Sequence, residues 1–195
     1  MKNPNRQAAI RRSAAHGGNE TDTIVVYNSS NGSTMQYAEW IATALDADII
    51  PYSRKTLGYV TLYRNVIFIG WIRAGEITRL SMLKQNAGQF GLAGKNIFIC
   101  GVGLGPDSEE YRTKLCKRNG IEKDLFFYLE GRYNPSKIKK VDAAALAAMK
   151  NTLYDEMTRE DADVLRERLE NGYDGLNSSK ISDIVEAVIE AKRVN

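Results

Sequence analysis

The chain of 195 residues is 43% hydrophobic and 26% charged, the balance of an ordinary globular protein with a substantial core and not of a disordered one. Its net charge of +3 sits wholly in residues 1–20, where Lys2, Arg6, Arg11 and Arg12 stand against Glu20; the rest sums to zero, which excludes an expected nucleic-acid face. No apolar run approaches the roughly 18–20 residues of a transmembrane segment, no secretory signal is expected, and the single histidine, His16, leaves no His-based metal site or Ser-His-Asp triad.

Residues 1–21 read as a disordered basic tail and 22–195 as one domain. TIVVY (23–27) is a short, continuous apolar run, as suits a strand covered on both faces. A polar loop follows, and then a helical pattern over 34–45 with Tyr37, Ile41 and Leu45 on one face. ADII (47–50) is a second strand. The stretch 51–65 is ambiguous and need not hold a helix. VIFIGW (66–71) is the third strand, 79–90 a helical pattern, and NIFICGV (96–102) the fourth strand. A helix over 108–118 takes Asp107 or Ser108 as its cap, with Tyr111 and Leu115 on one face. DLFFYLE (124–130) is the fifth strand. Cys100 and Cys116 form no CxxC pair and read as two reduced thiols of a cytoplasmic protein.

Strands alternating with helices predict an α/β fold, a doubly wound five-stranded parallel sheet of order 2-1-3-4-5. Past the fifth strand the pattern changes. Residues 131–140 read as a loop. Asp142 caps a helix over 142–157 with Leu146, Met149 and Leu153 on its apolar face, and a charged stretch holds Val164, Leu165 and Leu169. Gly172 and Gly175 break the chain. A closing helix over 178–193 begins at Ser178 or Ser179, with Ile181, Val185, Val188 and Ile189 directed inward. Residues 131–177 are therefore a helical insertion before that helix.

In such a sheet, ligands sit beyond the carboxyl ends of the strands at the topological switch point, here between the first and third strands. The loop Ser29-Ser30-Asn31-Gly32-Ser33-Thr34 reads either as a phosphate cradle at a helix N-terminus or as a polar turn with a cap. It lacks the lysine of a nucleoside triphosphate loop. After the third strand, Trp71 and Arg73 in GWIRAGE either flank a flat ring and its polar edge, or lie in the core and in solvent respectively. Gly103, Leu104 and Gly105 in GVGLGPD form a tight loop at the ligand's edge or a plain turn; Pro106 falls where a dinucleotide fingerprint needs its third glycine. A receiver domain of the same sheet order is excluded, because YNSS and GWIR stand where its acidic residues belong.

These residues resemble the flavodoxin-like proteins, which hold flavin mononucleotide (FMN) through a T/S-x-T-G-x-T loop after the first strand. Residues 29–34 look like that loop, with Asn31 in place of a threonine. Within the superfamily the chain is similar to the bacterial group that includes the quinone-coupled protoporphyrinogen oxidases. Ile72-Arg73-Ala74-Gly75 looks like their Ile-Arg-Tyr-Gly, and Arg132-Tyr133-Asn134-Pro135 like their Arg-Tyr-Pro. The resemblance implies a flavoprotein of electron transfer, with FMN bound by residues 29–34, 71–75 and 103–105, and with Arg73, Arg132 and Tyr133 facing a substrate or the flavin's pyrimidine edge. Catalytic residues stay unassigned. The partner is a redox protein or a quinone- or porphyrin-type substrate, and a homodimer is open. The alternatives are an electron carrier, a substrate-specific oxidoreductase, and a flavin-free binding module on the same fold.

Overall fold

The computed structural model of the protein describes residues 21–53, 57–137 and 157–193, with positions 144, 146 and 154. The expected tail, but for Thr21, and most of the helix expected over 142–157 lie outside the described residues. The parallel sheet is built from β1 (Thr23–Asn28), β2 (Asp48–Pro51), β3 (Asn65–Arg73), β5 (Asn96–Gly103) and β6 (Phe126–Glu130) in the order β2-β1-β3-β5-β6. A short β4 (Glu76–Ile77) folds back antiparallel on β3. The order expected from sequence is therefore the one observed, with β4 added as a hairpin.

Strand side chains alternate between two cores. Ile24 and Val26 of β1, with Val66 and Phe68 of β3, face α2 (Leu80–Gln85) and α3 (Glu109–Asn119) through Leu80, Leu83 and Leu115. Val25, Ile67 and Ile69 face the other way, onto α1 (Ser33–Leu45) and α5 (Ser182–Arg193) through Tyr37, Ile41, Ile184 and Val188. This two-sided burial explains why the strands read as continuous apolar runs.

The helices depart from expectation in physical detail. Between β2 and β3 the described residues hold a 3-10 turn, Leu57–Leu62, and no α-helix. Residues 79–90 give the short α2 alone, because the chain then turns through glycines that include Gly91 in the left-handed region (φ 58°); Phe90 and Leu92 reach the core from that turn. The closing helix starts as a 3-10 turn (Ser178–Ile181) before α5. Its buried stripe runs through Ile184 and Val188, four residues apart. Ile189, expected inward, lies about 100° further round and is 38% exposed.

Residues 131–140, expected as a loop, contain β7 (Arg132–Tyr133) and a 3-10 turn (Pro135–Lys137). β7 pairs antiparallel with β8 (Tyr173–Asp174), Arg132 opposite Asp174 and Tyr133 opposite Tyr173. The segment between them thus begins and ends side by side. It contains α4 (Arg159–Asn171), capped by Thr158, whose Oγ1 accepts from the Asp161 N–H at 3.1 Å. No helix among the described residues is long and apolar enough to cross a membrane.

Candidate functional site

At the carboxyl end of β1 the chain enters α1 through Gly32, whose φ of 90° suits a residue without a Cβ. Ser29 Oγ accepts from the Gly32 N–H at 3.2 Å and so shapes the turn from behind. Gly32 brings no side chain to cap the helix. The first intrahelical donor is the Gln36 N–H, to the Gly32 carbonyl. The N–H groups of Ser33, Thr34 and Met35 find no acceptor among the described residues. The first turn of α1 also carries no acid. It therefore presents unpaired donors and the positive end of a helix dipole. Ser33 is buried and its Oγ accepts from the Arg132 N–H at 3.1 Å, joining this turn to β7.

The stretch after β3, expected as a loop, is a hairpin. Ala74 (φ 52°) and Gly75 (φ 76°) are both left-handed, as a two-residue type I′ connection requires. Asn119, the last residue of α3, grips it from outside: its Oδ1 accepts from the Ile77 N–H and its Nδ2 donates to the Gly75 carbonyl, each at 2.8 Å. Thr78 donates from its N–H (3.0 Å) and its Oγ1 (2.9 Å) to the Trp71 carbonyl and accepts from Asn28 Nδ2 at 2.8 Å. The hairpin is thereby tied to β1 beside the first loop.

The third wall is the turn after β5. A Cβ on Gly105 would lie 2.4 Å from the Tyr111 ring, so only glycine fits without displacing it. The buried Tyr128 hydroxyl donates to the Gly105 carbonyl at 2.7 Å. Tyr111 packs edge-on to Tyr128, with ring centroids 5.5 Å apart. Burial, with the Asp161 charge adding to it, pushes the Tyr111 phenol up to about 12.

These walls enclose a cleft of about 1680 Å³. Of the residues singled out in the sequence, Ser30, Asn31, Ser33, Thr34, Trp71, Ile72, Arg73, Ala74, Gly75, Gly103, Leu104, Gly105, Arg132 and Tyr133 line it. Ser29 and Gly32 are not in the lining. Sequence reasoning missed much of the remaining wall. Lys114, Lys117 and Arg118 of α3 line the cleft too, and their i, i+3, i+4 spacing was a legible sign of one face. So do Leu165 and Leu169 of α4, and Leu146 and Met157 from the segment between β7 and β8. The charged side chains among the described lining residues are the cations Arg73, Lys114, Lys117, Arg118, Arg132 and Lys137 and one acid, Asp174. Cys100 and Cys116 are buried free thiols, both pushed up by burial.

A parallel sheet of this order, with a donor-rich helix start at its switch point and a deep cleft above it, defines a ligand-binding doubly wound domain of the flavodoxin-like class. Residues 24–160 match the flavodoxin domain family, and the chain belongs to that family. Among curated proteins none matches it. Solved structures similar to it include a flavodoxin, WrbA-like protein from Agrobacterium tumefaciens (15% identity over 76% of this chain and 99% of that one, TM-score 0.43). Oxidised flavodoxin 2 from Bacillus cereus gives the same figures. The FMN-bound flavodoxin of Fusobacterium nucleatum is 14% identical over 77% of this chain and 99% of that one, with a TM-score of 0.34.

Proposed function

We propose that the protein is an FMN-dependent redox protein that holds the flavin phosphate at the start of α1. The observation that carries this reading is the uncapped first turn, with the N–H groups of Ser33, Thr34 and Met35 left without acceptors among the described residues and with Ser33 and Thr34 lining the cleft. Such a turn suits a dianionic phosphate. Ser30, Asn31 and Thr34 add side-chain donors. Trp71 and Ile72, on a strand extension fixed by Asn119 and Thr78, supply apolar surface for a flat ring, and the turn at Gly103–Gly105 closes its edge. Bound FMN supplies hydride and single-electron chemistry, while the protein orients the cofactor and sets its surroundings.

Titration of the protein with FMN, followed by flavin fluorescence, tests the reading. Thr34→Val keeps the shape of a buried side chain and removes its hydroxyl. It should weaken binding by about 1–3 kcal/mol, the range for a hydrogen bond to a charged group. No binding by the wild type, or equal binding by both, would overturn the assignment.

A second reading, a substrate-specific flavoenzyme, is favoured by the size and charge of the cleft. Its volume of about 1680 Å³ exceeds the roughly 300–1,000 Å³ of most small-ligand pockets. Its cationic walls suit a second, polyanionic reactant. The resemblance of residues 72–75 and 132–135 to the protoporphyrinogen oxidase group names a candidate, since both stretches line the one cleft. Oxidation of protoporphyrinogen with a quinone as acceptor measures it. Failure there, with electron exchange retained towards a generic reductase, favours the carrier reading.

A further inference from the structure

The turn after β5 is held from behind by a helix outside the five-stranded sheet. Arg168 of α4 donates from its Nη1 to the carbonyls of Leu104 (3.0 Å) and Gly105 (2.8 Å). Its Nη2 pairs with Glu130 Oε1 at 2.7 Å, at the end of β6. Its guanidinium lies 3.8 Å from the centroid of the Tyr173 ring. Both charged side chains of the pair are largely buried, at 15% and 19% exposure. One turn from the other end of α4, Asp161 Oδ2 accepts from Ser108 Oγ at 2.9 Å. A single helix thus brackets the turn 104–108 at both ends.

This grip has a geometric consequence. Across a planar trans peptide the C=O and N–H point in opposite directions. With the Leu104 carbonyl held on Arg168, the Gly105 N–H is directed away from Arg168. That N–H finds no acceptor among the described residues, although Gly105 is buried and lines the cleft. A buried unpaired donor calls for a partner that the chain itself does not supply.

We propose that Arg168 is a positioning residue that orients the 104–105 peptide for the flavin, with Glu130 as its counter-charge, so that docking of α4 and cofactor binding are coupled. This rests on the reading of the cleft as an FMN site. Two opposite charges behind one wall of the cleft make the coupling electrostatic as well as geometric. Removing Arg168 leaves an uncompensated carboxylate behind that wall, and a negative charge disfavours adding electrons to the cofactor. Removing Glu130 leaves the opposite charge.

The test uses the full chain as wild type, Arg168→Gln, Arg168→Lys and Glu130→Gln. Hydrogen exchange without flavin reads the turn directly: Arg168→Gln should speed exchange across 103–112 and at the Gly131 N–H, which the Gly103 carbonyl accepts at 2.6 Å, and leave α1 unchanged. With FMN, Arg168→Gln should raise Kd about tenfold, the scale of losing a charge-assisted bond, and shift the midpoint potential negative. Glu130→Gln should shift it positive. Arg168→Lys, which keeps the charge without the fork, should restore the potential more fully than the affinity. Unchanged exchange across 103–112 in Arg168→Gln overturns the positioning role whether or not FMN binds. Potentials that shift together in Arg168→Gln and Glu130→Gln, or not at all, overturn the coupling. Absence of FMN binding by the wild type instead overturns the functional reading, and exchange alone then decides the role of Arg168.

Discussion

The Tyr37 hydroxyl lies 2.9 Å from the Glu130 carbonyl oxygen, spanning from α1 to the end of β6. The Tyr37 hydroxyl oxygen is also 3.2 Å from the Gly175 carbonyl oxygen and accepts from the Asn177 N–H at 3.2 Å. Tyr37 is fully buried, and burial pushes its phenol up, which keeps it a donor. One side chain therefore fastens α1, β6 and the return from β8. Tyr37→Phe keeps the ring and its edge-on contact with Trp40, but strands an N–H and carbonyl oxygens. It should cost about 1–3 kcal/mol of unfolding free energy. Urea denaturation measures this, and a loss under about 0.5 kcal/mol would mean that water replaces the hydroxyl.

The hairpin at Ala74-Gly75 carries strain that a substitution can relieve. Alanine at φ 52° sits where asparagine and glycine are favoured in a type I′ turn. Ala74→Asn should stabilise the protein by about 0.5–1 kcal/mol. Gly75→Ala should destabilise it, since φ is 76° and the new Cβ would meet Arg118 at 2.8 Å. Thermal melts of both variants give the comparison. A destabilised Ala74→Asn would show that the turn is not shaped as described.

Much of this was legible because the sheet buries both faces. Runs such as VIFIGW and NIFICGV have the short, β-branched, continuous apolar character of central strands, and the Ser29–Thr34 loop sits between a strand and a clean helical stripe. What escaped was set by tertiary contacts. β4 has two residues and forms because Asn119, 42 positions from Ile77, satisfies its backbone. β7 and β8 pair across the long segment between them, which no local pattern reports. Arg168 lies in a stretch that reads merely as charged, yet behind the cleft wall it meets Leu104, Gly105, Glu130 and Tyr173. Spacing alone directs Ile189 inward, whereas the helix phase is fixed by Ile184 and Val188 against the sheet.

Alkaline pH should expose the buried phenols. Tyr111 stays protonated up to about 12 in the folded protein, whereas a tyrosine in an unfolded chain titrates near about 10. The contribution to stability is complete below about pH 10 and is lost as pH rises towards about 12, because the unfolded chain releases a proton that the folded one keeps. The Tyr111 hydroxyl makes no hydrogen bond among the described residues, so Tyr111→Phe should change stability little at neutral pH, within about 0.5 kcal/mol. Its urea midpoint should then fall less than that of the wild type between about pH 9.5 and about pH 11.5. Parallel declines would show that other phenols carry the effect.

The pairing of Tyr133 with Tyr173 permits a direct test of the segment between β7 and β8. Deleting residues 135–171 joins Asn134 to Gly172, and Asn-Gly is the favoured two-residue loop for closing such a hairpin. Gly172 already has a φ of 83°. The deletion removes Arg168, so Glu130→Gln should accompany it to avoid a buried unpaired carboxylate. The sheet, both its cores and the Tyr37 fastening remain, so a cooperative melt is expected. FMN should still bind, because the first turn of α1 is untouched, but more weakly, because the Leu104 carbonyl then loses its Arg168 donor and the Gly105 carbonyl keeps only Tyr128. Electron exchange with a small artificial acceptor should survive. Turnover of an anionic second reactant should collapse, since Lys137, Leu146, Leu165 and Leu169 leave the cleft wall with the segment. Full turnover after the deletion would place the second reactant elsewhere on the sheet domain. A variant that fails to fold even with Glu130→Gln would mean that α4 belongs to the core and is not an addition to it.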